Sequence, residues 1–254
     1  SGTSGVNYTH VFISSGENVR LHCNNALHDC TSTTWSYNRF TDSATVELIA
    51  GGIKKKKIER YKRLSLRSDC SLNIRNITKE DYGLYICRQY VNNKLQGADA
   101  CVYLHVLHVS SSSSQTEISA GSSVTLSCQL YSHSYSYAGA SCDDWIRSEG
   151  IQMFWVNPTG VTLMISDSRY QILFSSGHCI ITLNTTLLNK DDNREWRCNV
   201  THRNQVKTSA TYTVRISVIV IIVEFAVFAA PTVILLQIIC ARRAGRKNSQ
   251  HQKK

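Results

Sequence analysis

The chain has 254 residues, enough for one or two domains of ordinary size, and its formal net charge at pH 7 is +10. Six positive charges lie in the tail 241–254 beside a long apolar run, so the basic balance does not indicate nucleic-acid binding. The histidines are scattered, and the Ser and Asp residues form no nucleophile pattern, so we expect neither an enzyme nor a cofactor. Cys101 and His105 would lie ~13 Å apart on a strand and cannot share one zinc ion.

Short runs in which apolar and polar residues alternate dominate the first 214 residues. They include 18–23, 46–50, 64–66, 72–74, 84–87 and 102–106. Alternation of this kind is typical of strands with one face in a core and the other in water. No amphipathic helical pattern of useful length is present, and the many short strands predict an all-β sandwich.

A pattern of four cysteines occurs twice along the chain. Its members are Cys23, Cys30, Cys70 and Cys87, and then Cys128, Cys142, Cys179 and Cys198. In each copy an Asp, Asp81 or Asp192, lies six residues before the last Cys, and a Trp, Trp35 or Trp155, follows the first. A repeat of this length predicts one fold used twice. So many cysteines indicate disulfides and therefore a place outside the cytosol.

The serine run 110–114 interrupts the strand pattern, and we predict a hinge there. Domain 1 then covers residues 1–109 and domain 2 covers residues 115–214. Each has the length expected of a small sandwich domain.

A membrane span is predicted after the second domain. Residues 216–240 are almost wholly apolar, with Glu224 as their only charge, and at ~1.5 Å per residue they would extend ~38 Å. We therefore predict a transmembrane helix over 215–240 and a basic cytoplasmic tail over 241–254. This topology is that of a single-pass type I protein of the plasma membrane, with its N-terminus extracellular.

Asparagine sequons agree with an extracellular location. Candidate glycosylation sites are Asn7, Asn76, Asn184 and Asn199, each followed two residues later by Thr. The chain starts with neither Met nor an apolar leader, so we expect that a signal peptide has been removed.

The string Asp81-Tyr-Gly83-Leu-Tyr85-Ile-Cys87 resembles the immunoglobulin superfamily. That resemblance implies a tyrosine corner, in which the Tyr85 hydroxyl returns to the backbone a few residues upstream. It also implies that Cys23 on strand B and Cys87 on strand F form a disulfide between the two sheets, with Trp35 of strand C packed on it.

Domain 2 resembles the family less closely. Its string ends in Trp196-Arg-Cys198, with Trp in place of Tyr, so the corner must differ in detail because an indole N–H cannot accept a hydrogen bond. Cys128, Trp155 and Cys198 still fit the pattern. The long interval from Cys128 to Trp155 predicts an extended B–C loop, and the spacing of the bridging cysteines leaves room for an extra strand, as in variable-type domains.

The remaining cysteines have less certain partners. In such a sandwich Cys30 can reach Cys70 and Cys142 can reach Cys179, although sequence does not fix the connectivity. Cys101 is left over. Alternation places it on the outer face of strand G, where an exposed thiol would favour an interchain disulfide and a covalent homodimer; a buried free thiol or a different pairing are the alternatives.

Two groups of residues are candidates for ligand contact. Arg88, Tyr90 and Tyr103 are predicted on the outer face of strands F and G, the usual dimer or ligand surface of variable-type domains. The basic run that begins with Lys54, Lys55, Lys56 and Lys57 is a candidate site for an acidic glycan or protein. The alternative is a solvated loop or an edge that lysines protect against strand pairing.

Together these features resemble leukocyte receptors with two immunoglobulin-like domains, including the expanded families of bony fish. The resemblance implies a cell-surface receptor that recognises a protein or glycan through domain 1. Alternatives are a homophilic adhesion molecule, or an accessory subunit in which Glu224 pairs with Lys or Arg in a partner span. Glu224 could equally be protonated or linked to water, and Cys240 could be palmitoylated or a plain buried thiol.

Overall fold

The structure is a computed structural model that describes residues 7–27, 29–40, 43–56, 61–113, 118–133, 141–163, 169–175 and 177–216. Its first strands are β1 (Asn7–Ser14), β2 (Val19–Leu21), β3 (Thr33–Asn38), β4 (Val46–Ala50), β5 (Ile53–Lys54), β6 (Leu64–Leu66), β7 (Leu72–Ile74), β8 (Gly83–Val91) and β9 (Lys94–Ser111). They are followed by β10 (Ser123–Tyr131), helix α1 (Cys142–Glu149), β11 (Ile151–Val156), β12 (Thr162–Leu163), β13 (Tyr170–Ser175), β14 (Ile180–Thr186), β15 (Glu195–His202) and β16 (Gln205–Thr213). The predicted all-β class is confirmed.

The buried side chains form two hydrophobic clusters. One surrounds Trp35 and Cys87, and the other surrounds Trp155 and Trp196. We call the parts around them the first lobe (β1–β8 and the N-terminal half of β9) and the second lobe (the rest of β9, β10–β16 and α1). Phe12 of β1 packs in the second cluster, so β1 contributes to both lobes.

Strand β9 is shared by the two lobes. The largest sheet has the order β13-β14-β10-β9-β8-β3-β4-β5, and β1 pairs with β9 in parallel. A four-stranded sheet (β12-β11-β15-β16) and a three-stranded sheet (β2-β7-β6) cover the two halves of this long sheet. The N-terminal half of β9 pairs with β8 and its C-terminal half with β10. Around residues 104–107 every side chain of β9 is buried, because both faces of the strand are covered there.

This continuity differs from the predicted hinge at 110–114. Ser110 and Ser111 are the last residues of β9 and pair with Ser127 and Leu126 of β10. Ser112 continues the contact, since its N–H donates to the Thr125 carbonyl at 3.0 Å. Residue 114 lies outside the described residues. Backbone groups of these serines are therefore satisfied by strand pairing. A run of serines has no alternation of apolar and polar residues, so the sequence could not indicate a strand here.

The predicted tyrosine corner is confirmed in the first lobe. The Tyr85 hydroxyl donates to the Asp81 carbonyl oxygen at 2.7 Å. Gly83 lies between them because a Cβ there would come within 2.6 Å of the Tyr37 ring and 2.7 Å of the Asn38 carbonyl oxygen. The glycine of the motif is thus required by the close approach of β3.

Helix α1 was not predicted; the sequence indicated only an extended loop in this interval. Ser141 caps its N-terminus by accepting from the Asp144 N–H, and Gly150 ends it in a left-handed conformation. Cys142 and Trp145 are its buried residues. Eight residues are too few to show a helical period, and burial of these two side chains stabilises the helix more than its propensity does.

No helix of the described residues is long and apolar enough to cross a membrane. The predicted span over 215–240, with Glu224 and Cys240, lies outside those residues except for its first two, and the tail 241–254 lies wholly outside them.

Candidate recognition face

A tight hairpin presents the exposed end of β8 and β9. Its turn consists of Asn92 and Asn93, which have φ values of 50° and 61°. Left-handed conformations at both positions give a turn whose twist matches the strands it joins, and Asn tolerates them well. The turn therefore fixes residues 90–95, which we call the hairpin tip.

The hairpin tip exposes apolar side chains. Tyr90 is 38% exposed, Val91 39% and Leu95 49%. Tyr90 was a predicted contact residue, whereas Val91 and Leu95 were not predicted. The Asn-Asn pair was the available signal, because a two-residue turn places its flanking residues at the outermost point of the sheet.

Arg88, a predicted contact, has a partner within the chain. Its Nε and Nη2 atoms donate to Asp99 Oδ2 at 2.9 and 2.7 Å across the β8–β9 pair. The hydrogen bond to Asp99 raises the pKa of the Arg88 guanidinium, against the opposing effect of burial. The side chain is part exposed, so a ligand would meet an ion pair here and not an isolated charge.

The expectation that Cys101 is exposed is wrong. Cys101 is a free cysteine with only 5% of its surface exposed. Alternation along β9 could not reveal its neighbours, because β1 pairs beside it, with Tyr8 opposite Cys101. Burial raises the pKa of the thiol, and Asp99 raises it further. The interchain disulfide stays a prediction, and forming it would require β1 or the neighbouring loop to move.

Tyr103 is held in a stack of rings. Its ring lies 5.4 Å from the Tyr8 ring and 5.3 Å from the His10 ring, measured between centroids. These contacts join β9 to β1. Of the three predicted contact residues on this face, Tyr90 is thus the one at the exposed tip.

The basic run that follows β4 divides between internal and exposed side chains. The Lys54 ammonium donates to the Leu64 carbonyl at 2.9 Å, and Lys55 lies 3.5 Å from a Glu47 carboxylate oxygen. Lys56 is exposed, and Lys57 lies outside the described residues. Arg63 makes two hydrogen bonds, of 2.6 and 2.9 Å, to the buried Asp81 carboxylate. Lys54, Lys55 and Arg63 therefore make contacts within the chain.

The structure contains the four disulfides whose pairing the sequence suggested. They are Cys23–Cys87, Cys30–Cys70, Cys128–Cys198 and Cys142–Cys179. Trp35 lies opposite Cys87 and Trp155 opposite Cys198, and both indoles are fully buried. The Trp35 N–H donates to the Cys70 carbonyl at 2.9 Å, so the second disulfide and the central Trp are connected.

The sequons differ in accessibility. Asn76 is exposed and lies at a turn with φ of 49°. Asn184 and Asn199 are part buried on strands, and Thr201 of the last sequon is buried. Asn7 begins β1, and its side chain lies outside the described residues. Asn76 is therefore the most open of the three described asparagines.

The described residues contain no group of His, Cys, Asp and Glu that could hold a metal ion.

Comparison with known proteins gives a family match for the first lobe. Residues 7–107 match the immunoglobulin V-set domain family. No curated protein matches the chain. Among solved structures, the extracellular portion of mouse CD200RLa is 11% identical, with a TM-score of 0.39, and the match covers 83% of this chain and 100% of that one.

A second similar structure contains the N-terminal four Ig domains of Dscam1 isoform 7.44, with 13% identity and a TM-score of 0.32. The match covers 85% of this chain, which spans only 45% of the Dscam1 chain. Likenesses this distant assign no function. The match to the immunoglobulin V-set domain family covers residues 7–107, and the described residues form immunoglobulin-like sheets.

Proposed function

We propose that the protein is a cell-surface recognition receptor that binds a protein ligand through the hairpin tip of its V-set domain. The observation that carries this proposal is the exposure of Tyr90, Val91 and Leu95 on a fixed two-residue turn. Tyr90 and Leu95 are cross-strand partners and lie on one face, whereas Val91 belongs to the other face of the same hairpin. Exposed apolar side chains at one turn favour a contact surface, and Tyr is enriched among the residues that dominate binding energy. A rigid turn also lowers the entropy lost on binding.

An acidic glycan is the weaker candidate ligand. Lys54, Lys55 and Arg63 of the basic run all have partners within the chain. Binding through the remaining charges would weaken steeply with salt, whereas binding through the apolar tip would not.

The predicted span over 215–240 supplies the membrane anchor in this proposal. The tail 241–254 has no Tyr, so a signal would pass through a partner. We propose that Glu224 pairs with Lys or Arg in the span of such a subunit, because an ionisable group at that depth is costly unless it is partnered.

The test uses cells that express the full chain with an N-terminal epitope tag, stained with a panel of soluble cell-surface proteins. Antibody staining of the tag without permeabilisation checks the proposed topology first. We expect one or more panel proteins to bind the wild type. The triple variant Tyr90→Ser, Val91→Ser and Leu95→Ser should reduce that binding about tenfold or more, since it removes the exposed apolar side chains of the tip, including a Tyr of the kind that dominates binding energy.

A matched control is available in the second lobe. Val161, Leu173 and Val206 are 57%, 50% and 59% exposed, so replacing all three by Ser removes a similar exposed apolar surface elsewhere. The control variant should bind as the wild type does. Equal loss in the two triple variants, or none in the first, would contradict a ligand site at the hairpin tip.

Homophilic adhesion is the second candidate, since an apolar tip on one copy can meet the same tip on another. Mixing two differently labelled populations of the expressing cells distinguishes the two functions. Aggregation that the hairpin variant abolishes would indicate adhesion, and binding without aggregation would indicate a receptor for another protein.

A further inference from the structure

Four of the nine histidines meet where the two lobes join. His10 lies on β1 and His105 on β9, while His133 follows β10 and His202 ends β15. His10 contacts both His105 and His202, with ring centroids 5.2 and 6.2 Å apart. His105 has no exposed surface and His133 is 6% exposed. We call these four residues the junction histidines.

Two of the junction histidines share a single hydrogen bond. His10 Nδ1 lies 2.9 Å from His105 Nε2, and the two rings are parallel to within 1°. The other ring nitrogen of His105, Nδ1, lies 2.8 Å from the Ser132 hydroxyl. Two nitrogens that face each other at this distance hold one proton between them, so one must be a neutral acceptor. If the His10 and His105 rings were both protonated, two N–H groups would face each other and the hydrogen bond would be lost.

Few neighbouring groups could stabilise a second protonated imidazole in this cluster. The Phe12 ring lies 4.5 Å from the His105 ring and the Trp145 ring lies 5.4 Å from it. Phe12 also contacts His202, at 5.6 Å. The Nε2 atoms of His133 and His202 are buried and have no hydrogen-bond partner among the described residues. An imidazolium needs both N–H groups satisfied, and burying it without partners is unfavourable.

Charged groups around the cluster are few and of mixed sign. From the end of α1, Glu149 raises the pKa of His10 and His202, whereas Arg203, beside His202, lowers both. Lys207 of β16 lowers the pKa of His202 further. Tyr8 and Tyr103 are the titratable neighbours on the β1 and β9 side, through their stack with His10.

Burial is the main cause that lowers the pKa of all four rings from the ordinary value of 6.5. It acts most strongly on His105, whose pKa lies well below that value, and the three neighbouring histidines lower it further. Glu149 opposes the effect of burial for His10 and His202.

We propose that the junction histidines form an acid-sensitive latch, which holds β1 against the second lobe at neutral pH and releases it in mildly acidic solution. The latch adds to a ladder in which β1 pairs in parallel with β9 from Asn7 to Ser14. Besides the histidines and Phe12, β1 meets the second lobe through Ser14, whose hydroxyl lies 3.0 Å from Thr208 Oγ1 and donates to the Ser209 carbonyl at 2.7 Å. Strand β9 stays joined to β8 and β10 by its ladders, so opening breaks the pairing of β1 with β9 and leaves the rest of the long sheet intact. This inference does not depend on the proposed function.

The direction of the effect follows from proton linkage. Well above pH 6.5, as at pH 7.5, the histidines are almost wholly neutral in both the closed and the open state, and the closed state has nearly its full stability. As the pH falls through 6.5, the open state binds protons that the closed state excludes, so opening becomes more favourable. For one such histidine the opening equilibrium rises about tenfold between pH 7.5 and 5.5, and for two about a hundredfold.

Hydrogen–deuterium exchange of the full chain in detergent at these two pH values tests the latch. Rates are divided by the intrinsic exchange rate at each pH to give protection factors. We expect peptides that cover β1 and residues 196–204 to lose protection about tenfold or more at pH 5.5. Peptides that cover β3, in the core of the first lobe, should change less than about twofold.

Two variants and a control separate the latch from a general effect of acid. His105→Gln and, separately, His10→Gln keep a neutral hydrogen-bonding group, and because each removes one titrating ring, each should reduce the pH response several-fold below that of the wild type. His178→Gln, at an exposed histidine far from the cluster in the chain, should keep the wild-type response.

Several outcomes would overturn the proposal. One is wild-type protection in β1 that stays the same at both pH values, and another is an equal loss in β1 and β3. A wild-type response in both cluster variants would also refute it. If His105→Gln is unprotected throughout at pH 7.5, it has not folded, and His10→Gln and His202→Gln decide the question.

Discussion

The two lobes carry the same charged anchor, but they differ in the aromatic residue beside it. In the first lobe Arg63 pairs with Asp81, which also accepts the Thr78 N–H at 2.8 Å. In the second lobe Arg169 pairs with Asp191, which accepts the Leu188 N–H at 2.8 Å. Each carboxylate therefore joins the residue just before β6 or β13 to the turn that leads into β8 or β15.

Sequence spacing had pointed to a different residue in the second lobe. Asp192 lies six residues before Cys198, as Asp81 does before Cys87, yet Asp191 is the buried residue and Asp192 is exposed. The extra residue is accommodated by Asn193, whose φ of 55° is left-handed. The comparison shows that the anchor is defined by burial and its arginine partner, and that its spacing to the cysteine can vary.

The aromatic residues differ in how their polar atoms are satisfied. The Tyr85 hydroxyl donates to the Asp81 carbonyl, whereas the buried Trp196 N–H has no hydrogen-bond partner among the described residues. Trp196 instead packs edge-on against Tyr170, with centroids 5.4 Å apart. The corner of the first lobe therefore depends on a hydrogen bond, and that of the second lobe depends on packing.

The largest expected effect tests whether the two anchors are equivalent. Asp81→Ala removes a fully buried carboxylate and leaves Arg63 without it, and we expect the free energy of unfolding to fall by about 3 kcal/mol. Asp191→Ala should have an effect within about 1 kcal/mol of this. Urea unfolding of the chain, followed by tryptophan fluorescence, measures both.

The matched controls for the anchors are Asp99→Ala and Asp69→Ala, whose carboxylates pair with arginines nearer the surface. Asp99→Ala should lower the free energy of unfolding by less than about 1 kcal/mol, and Asp69→Ala should have a much smaller effect than Asp81→Ala. An Asp191 variant as stable as these controls would show that the two anchors are not equivalent.

The second effect concerns the glycine of the first corner. Gly83→Ala would place a Cβ 2.7 Å from the Asn38 carbonyl oxygen, which is backbone and cannot move aside, so we expect a loss of about 2 kcal/mol. Arg194 lies in the corresponding stretch of the second lobe and is exposed, so Arg194→Ala should change the free energy by less than about 0.5 kcal/mol. Melting temperatures of the two variants compare them directly, and a small shift for Gly83→Ala would contradict the close approach of β3.

A smaller effect isolates the hydrogen bond itself. Tyr85→Phe keeps the ring and removes the hydroxyl that donates to Asp81, and we expect a loss of about 1 kcal/mol. Tyr37→Phe is the comparison, because its hydroxyl donates to the Tyr82 carbonyl at 2.8 Å in the same region. If urea unfolding gives similar losses for the two variants, the corner hydrogen bond contributes no more to the free energy of unfolding than the Tyr37 hydrogen bond does.

Much of the first lobe could be predicted because its signals are local in sequence. The string from Asp81 to Cys87 contains the anchor, the glycine, the aromatic residue and the cysteine within one turn and one strand. The packing of Trp35 on its disulfide was implied by the resemblance to the immunoglobulin superfamily, and Trp155 fitted the same pattern of cysteines.

What could not be predicted depends on contacts between distant residues. Cys101 and His105 lie on the same face of one strand, which the alternation of the sequence predicts to be the outer face. In the structure β1 and the second lobe cover that face. Ser110 and Ser111 of the predicted hinge pair with β10, whose sequence gives no indication of that partner. Helix α1 is too short to show a period and depends on Cys142 and Trp145 for its burial.

The smallest effect compares the hairpin turns of the two lobes. Asn92-Asn93 joins β8 to β9 and Arg203-Asn204 joins β15 to β16, with φ values of 50° and 61° in the first and 51° and 63° in the second. The backbones match, so the difference lies in the first residue, where Asn tolerates the left-handed region better than Arg does. We expect Arg203→Asn to raise the free energy of unfolding by about 0.5 kcal/mol and Asn92→Arg to lower it by a similar amount.

These two substitutions are best measured at pH 8. Arg203 lowers the pKa of His10 and His202, so removing its charge would also change how readily the junction histidines bind protons. At pH 8 those rings are neutral whether the chain is folded or unfolded, and the backbone preference is observed alone. Effects of opposite sign would show that the first lobe has the better turn residue at its proposed recognition tip. Effects of the same sign would mean that side-chain contacts of Arg203 outweigh the strain of its backbone.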